Sequence, residues 1–152
     1  MKYSLILLCA FLVVACGGLT KAQMGAAYND AALRYDAVSE EAFAIYETAW
    51  DASTTDDEGL EALTDLYSTY SGATFTYVKE IEAIKWTPEF IETSQSMITC
   101  MRDVYLLQLE VLAATDAQGA IDLSDTADAK ADVCRSINDS FRTMLELGPV
   151  SE

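Results

Sequence analysis

Apolar residues recur along most of the chain at alternating intervals of three and four positions. This is the spacing of one buried face of an α-helix, and it divides into four segments. The four apolar seams are Met24, Tyr28, Ala31, Tyr35, Val38, Ala42, Ile45 and Ala49; Leu60, Leu63, Tyr67, Tyr70, Thr74, Tyr77, Ile81 and Ile84; Phe90, Thr93, Met97, Cys100, Val104, Leu107, Val111 and Ala114; and Leu123, Ala127, Lys130, Cys134, Ile137, Phe141 and Met144. No convincing strand alternation competes with this pattern, so the sequence predicts four helices.

Residues typical of helix caps precede each seam. Two capping boxes open the first two helices, and they are Thr20 with Gln23 and Thr55 with Glu58. Thr87–Pro88 opens the third helix, with the threonine as its cap and the proline at its first position. We expect the last helix to begin at Asp122 or Ser124 and to end at Gly148–Pro149.

Long helices joined by short loops pack best against neighbours that run in the opposite direction. The predicted fold is therefore all-α, an antiparallel up-down-up-down four-helix bundle over residues 23–148, followed by a tail over 149–152. The third helix is expected to be the most buried of the four, because Tyr105–Ala114 is apolar on most sides.

The start of the chain has the pattern of an export signal. Lys2 precedes the apolar run Tyr3–Val14, which as a helix is too short for a hydrocarbon core of about 30 Å. The run ends in Val13-Val14-Ala15-Cys16, which resembles the lipobox of bacterial lipoproteins.

The resemblance implies cleavage of a signal peptide over residues 1–15 and acylation of the Cys16 thiol. Residues 16–22 would then be a short tether to a membrane of the cell envelope. Gly17 stands where an aspartate favours inner-membrane retention, so the outer membrane is expected in a Gram-negative organism. The alternative is ordinary cleavage after Ala15, which releases a soluble secreted protein.

Two cysteines remain once Cys9 is removed with the signal peptide and Cys16 carries lipid. Cys100 and Cys134 lie on the core-facing seams of consecutive antiparallel helices. Because exported proteins meet an oxidising compartment in many bacteria, we predict a disulfide between them. The alternative is a pair of buried thiols that pack as small apolar residues.

Composition narrows the chemistry further. The formal net charge of −16 argues against nucleic acid as a partner, because a basic surface is needed to bind phosphates. The chain has no histidine, which excludes histidine-based catalysis and disfavours transition-metal sites.

Met97, Cys100 and Met101 resemble soft copper ligands, but their positions on or beside the seam indicate core packing. We predict no cofactor and no enzymatic activity, although an enzyme that uses only carboxylates remains an alternative.

Acidic residues concentrate at the end of the predicted bundle farthest from Cys16. One stretch contains Asp51, Asp56, Asp57, Glu58 and Glu61, and the other contains Asp116, Asp122, Asp125, Asp128 and Asp132. The positive charges Lys21, Arg34, Lys79, Lys85 and Arg142 fall nearer the anchor. The acidic pole suits a basic envelope protein or Ca²⁺, although the first stretch lacks the glycine and final glutamate of an EF-hand loop. The alternative is a surface that serves solubility.

Tyrosines are frequent on the first two seams. Folding the first helix pair brings Tyr28 opposite Tyr77 and Tyr35 near Tyr70, with Phe141 at the same end. Such a cluster either lines a pocket for an apolar or aromatic ligand or fills the bundle core. Four residues off the first seam form a possible association face: Leu33, Phe43, Tyr46 and Trp50.

The sequence therefore predicts a lipid-anchored, acidic protein of the cell envelope that acts by binding. A carrier of a small apolar or aromatic ligand and a calcium-responsive module are the alternatives. The partner and the oligomeric state are not predicted.

Overall fold

The computed structural model describes residues 18–148. They form four α-helices: α1 (Lys21–Ala52), α2 (Asp56–Ala83), α3 (Pro88–Leu112) and α4 (Ala117–Met144). The predicted signal peptide, the predicted lipidation site Cys16, and the tail over 149–152 lie outside the described residues.

The helices form the predicted bundle. α1 packs along α2, α2 along α3, and α3 along α4, and each of these pairs is joined by a short connection. The all-α, antiparallel four-helix fold is thus confirmed. In a closed bundle α1 and α4 would also be neighbours, but their backbones make almost no close contact. The bundle is therefore open along the line between its first and last helices.

Side chains cap three of the four helix starts. The Thr20 hydroxyl accepts a hydrogen bond from the Gln23 amide, and the Gln23 side chain accepts one from the Thr20 amide, as a capping box requires. Thr55 and Glu58 form the same reciprocal pair at α2. At α3 the prediction is correct only in part: Thr87 stands at the cap position but its side chain forms no cap hydrogen bond, and Pro88 at the first position starts the helix.

The predicted start of the last helix is wrong. α4 begins at Ala117, because the Asp116 carboxylate accepts a hydrogen bond from the Gly119 amide at 2.8 Å. The helix also ends before Gly148–Pro149. Glu146 has a φ of 58°, and the Leu147 amide turns back to the Arg142 carbonyl at 2.9 Å. This turn directs the following residues toward α1.

The buried side chains form two clusters. The proximal core lies near Lys21 and is built around Met24, Tyr28, Ile81, Phe90 and Phe141. The distal core lies at the opposite end and contains Ala42, Leu63, Leu66, Tyr67, Val111, Ala120 and Ala127. Both clusters draw on all four helices, so each end of the bundle has its own packed interior.

The expectation that the third helix is the most buried is wrong. Leu106 and Leu109 of α3 are 56% and 38% exposed. α2 instead contacts every other helix, including α4 across the bundle. None of the helices between residues 18 and 148 is long and apolar enough to cross a membrane.

Candidate functional site

The opening between α1 and α4 contains a cleft of about 780 Å³ in the proximal half of the bundle. α1 and α4 form its walls, and side chains of α2 and α3 reach between them to form its floor. Leu147 and Gly148, which follow α4, lie at one end. This cleft is the candidate functional site.

Tyrosines line the side of the cleft formed by α1 and α2. Tyr35 stacks on Tyr77 with ring centroids 5.2 Å apart and an angle of 28° between the rings. Tyr28 and Tyr77 are also in ring contact, at 6.3 Å, so the sequence correctly predicts these rings as neighbours. Tyr70, the other tyrosine of the predicted pocket, is not among the residues that line the cleft: it packs against the distal core beside Tyr67, and burial, with a smaller effect of Tyr35, raises its pKa.

Not every member of the predicted aromatic pocket faces the cleft. Tyr28 and Phe141 are fully buried, and their ring centroids are 4.9 Å apart in the proximal core. Trp86 packs against both rings. The two alternatives considered for the tyrosine cluster therefore both apply: Tyr28 and Phe141 fill the core, whereas Tyr35 and Tyr77 line a cavity.

Sulfur-containing side chains line the inner part of the cleft. Met97 and Met101 of α3 reach it, beside Cys134 of α4. Cys134 forms the predicted disulfide with Cys100, with the two Cα atoms 5.6 Å apart. The disulfide removes the thiolate that a copper site at Met97, Cys100 and Met101 would use. Among residues 18–148, no three Cys, Asp or Glu side chains lie close enough together to hold a metal ion.

Most of the polar groups of the cleft lie on the α4 wall. Asn138 accepts a hydrogen bond of 2.5 Å from the Tyr28 hydroxyl. One turn further on, Arg142 is only 7% exposed, and its Nε and Nη2 donate to the Gly148 carbonyl at 3.0 and 2.8 Å. Arg135 and Asp139 lie on the same wall, and Asp36 faces them from α1.

The residues after α4 join the two walls at the proximal end. Leu147 packs against Gly25 of α1, where a Cβ atom would lie 3.3 Å from the leucine side chain. The Lys21 ammonium also pairs with Glu146 at 2.6 Å. The cleft is therefore closed at this end and open along its side.

Burial perturbs the ionisable groups around the cleft. It raises the pKa of Tyr28 to about 12 and that of Tyr77 well above its ordinary value. Burial also raises the pKa of the Asp36 carboxyl, and Glu40 adds to the effect whereas Arg142 opposes it. The interior of the cleft thus favours neutral tyrosine hydroxyls and makes a carboxylate costly on the α1 wall.

The acidic residues of the opposite pole lie on the surface. Asp51, Asp56, Asp57, Glu58 and Glu61 are all exposed. Glu58 accepts hydrogen bonds from Thr54 and Thr55, which lower its pKa. Asp128 also belongs to this surface, but it accepts a hydrogen bond from Tyr67, and partial desolvation of its carboxylate raises its pKa. A basic protein partner at this pole stays a prediction.

The possible association face on α1 is interrupted. Leu33 and Phe43 are 53% and 45% exposed. Tyr46 packs against the distal core, and the Trp50 ring covers Gly59 at the start of α2. Two of the four residues thus serve packing within the chain.

Sequence analysis missed the polar wall of the cleft. Asn138 lies three residues before the seam position Phe141, and Arg142 lies one residue after it. Polar residues directly beside an apolar seam indicate polar groups at the edge of the buried face, and this was the signal in the sequence that could have identified the wall. The burial of Arg142 also depends on the turn at Glu146, for which the sequence has no glycine to indicate a positive φ.

Comparison of the chain with known protein families, with curated proteins and with solved structures gives no match.

Proposed function

We propose that the protein is a lipid-anchored binding protein of the cell envelope that holds a small apolar or aromatic ligand in the cleft between α1 and α4. The observation that carries the proposal is the cleft itself. Its volume of about 780 Å³ lies within the range of small-molecule sites. Its lining combines aromatic and thioether surface with polar groups that lie mostly on α4, and small-molecule sites are likewise built from apolar surface with convergent polar groups.

The position of the cleft agrees with this role. It lies in the half of the bundle where α1 begins, shortly after Cys16 in the sequence. An acylated Cys16 would hold that half close to the bilayer, because the tether is short. An apolar ligand that partitions into the membrane would then be concentrated near the cleft.

The binding of a neutral fluorescent probe tests the cleft. We expect N-phenyl-1-naphthylamine to bind with saturable fluorescence enhancement. Ala131→Phe places a ring in the cleft and is expected to weaken binding by at least about tenfold, because the probe and the new side chain compete for one volume. Ala129→Phe is the matched control, since Ala129 is exposed on the same helix.

Both variants should keep the helical circular dichroism of the original protein. Equal probe affinity in the original protein and in Ala131→Phe would contradict the proposed site.

Metabolic labelling with an alkyne analogue of palmitate tests the anchor. We expect the protein to carry the label and to lose it in Cys16→Ser, because the lipobox directs acylation to that thiol. Cys9→Ser changes the other cysteine of the N-terminal segment and should leave the label in place. A label that persists in Cys16→Ser would refute the anchor without affecting the proposal for the cleft.

A further inference from the structure

Arg142 differs from the other basic residues of the described chain. Between residues 18 and 148, every lysine and arginine except Lys85 and Arg142 forms an ion pair with an aspartate or glutamate. Lys85 is exposed to solvent, whereas only 7% of the Arg142 surface is exposed. A buried cation without a carboxylate partner is costly, so its presence in so acidic a chain calls for a physical reason.

The hydrogen bonds of Arg142 leave part of the guanidinium available. Nε and Nη2 both donate to one acceptor, the Gly148 carbonyl. Nη1 has no acceptor among the described residues, and the side chain lines the cleft. A guanidinium has five N–H donors and binds carboxylates through pairs of parallel hydrogen bonds.

We infer that Arg142 binds the carboxylate of an amphipathic ligand whose apolar part lies on Tyr35, Tyr77 and Met97. This inference rests on the proposed function and adds the chemical class of the ligand, an aliphatic or aromatic monocarboxylic acid. The apolar lining and the buried cation occur in one cavity, so a single molecule of this class satisfies both.

The other charges of the cleft favour a single negative charge over a double one. Asp36 and Asp139 also line the cavity, and Arg135 is already paired with Asp132 at 2.7 Å. A dianion such as a phosphate monoester would meet repulsion from both aspartates. One carboxylate can lie against Arg142 while the apolar part of the ligand extends toward the tyrosines.

The test compares three probes that share a dansyl group and an eleven-carbon chain: 11-(dansylamino)undecanoic acid, its methyl ester, and N-dansyl-1,11-diaminoundecane, which carries an amine. Fluorescence titrations are done at about 0.15 M salt, where distant surface charges are screened. We expect the acid to bind about tenfold more tightly than the ester, because only the acid forms a charge-assisted pair with Arg142.

Substitutions identify the group that recognises the acid. Arg142→Gln is expected to reduce the acid-to-ester preference to about one, and Arg142→Lys to restore part of it. Arg102→Gln is the control, since Arg102 pairs with Glu82 away from the cleft. Asp36→Asn leaves the link between Arg142 and Gly148 intact and is expected to increase the preference for the acid, because it removes a nearby negative charge.

The outcomes separate this inference from the proposed function. If acid and ester bind equally, or if the amine binds most tightly, Arg142 does not recognise a carboxylate, whereas the cleft is still a binding site. A decrease in acid preference in Asp36→Asn would overturn the inference even if Arg142→Gln does not fold. If none of the probes binds, the proposed function itself fails.

Discussion

Tyr28 shows how one side chain connects the core to the cleft. Its ring is fully buried against Phe141 and Trp86, and its hydroxyl donates to Asn138 on the cleft wall. The ring therefore contributes hydrophobic packing, while the hydroxyl satisfies an amide oxygen that would otherwise be partly buried without a donor. The same burial raises the pKa of the hydroxyl to about 12.

Tyr28→Phe is expected to lower the free energy of unfolding by about 1 kcal/mol at pH 7, because the hydrogen bond to Asn138 is lost. At higher pH the difference should shrink. Tyrosine ionises near pH 10 in the unfolded chain but near 12 in the folded protein, so its contribution is complete below pH 10 and is lost as the pH rises to about 12. The phenylalanine variant lacks this loss.

Urea unfolding at pH 7, 10 and 11.5 measures both effects. Tyr105→Phe is the control at pH 7, because the Tyr105 hydroxyl has no hydrogen bond among residues 18–148, and its stability should stay within about 0.5 kcal/mol of the original. If Tyr28→Phe loses stability between pH 10 and pH 11.5 as steeply as the original protein, the assigned role of this hydroxyl is wrong.

At the scale of the helices, local signals determine most of what the sequence predicts. The capping boxes at Thr20 and Thr55 and the proline at position 88 identify three helix starts, because each signal acts on backbone groups within one turn. The sequence pattern misplaces the fourth start. Asp116 caps α4 in front of a first turn that contains Gly119, a poor helix former, and lies before the apolar seam.

The cleft could be predicted only in part. Seam positions identify Tyr35, Tyr77 and Met97 as inward-facing, and they do not distinguish a filled interior from an open one. The opening depends on how far α1 stands from α4, which is set by packing against α2 and α3 and by the residues that follow α4. These are long-range properties that no short pattern encodes.

The disulfide is the covalent link between two helices. Cys100 and Cys134 lie 34 positions apart in the sequence, and both side chains are buried. We expect the double variant Cys100→Ala/Cys134→Ala to lose about 3–4 kcal/mol in free energy of unfolding, because the unfolded chain gains entropy without the link. Denaturant unfolding of the oxidised protein, the reduced protein and the variant measures it.

Reduction of the original protein should reproduce most of this loss, which makes it the internal control. An unchanged midpoint after complete reduction would contradict a stabilising disulfide. Because Cys134 also lines the cleft, probe affinity measured on the same samples reports whether the link helps to keep the cavity in shape.

At the scale of the whole molecule, charge is distributed unevenly. The chain carries 25 acidic and 9 basic residues. Ion pairs such as Lys21–Glu146 and Arg34–Glu80 lie in the proximal half, whereas the acids around the α1–α2 connection are exposed. Repulsion among these carboxylates opposes the compact state, and dissolved salt screens it. Stability should therefore depend on ionic strength more than on the identity of the cation.

We expect the melting temperature to rise by roughly 5 °C between about 10 mM and about 1 M NaCl, as the Debye length falls from about 30 to about 3 Å.

At a fixed ionic strength, about 2 mM CaCl₂ should have the same effect on the melting temperature as about 2 mM MgCl₂. A specific calcium site needs several oxygen ligands at about 2.3–2.6 Å, and among the described residues no three acidic side chains lie close enough together to hold a metal ion. Thermal unfolding followed by circular dichroism distinguishes the two cations. A rise in melting temperature with Ca²⁺ beyond that with Mg²⁺ would support the calcium-responsive alternative, and Asp56→Asn with Asp57→Asn would then show whether the acidic residues at the start of α2 bind the ion.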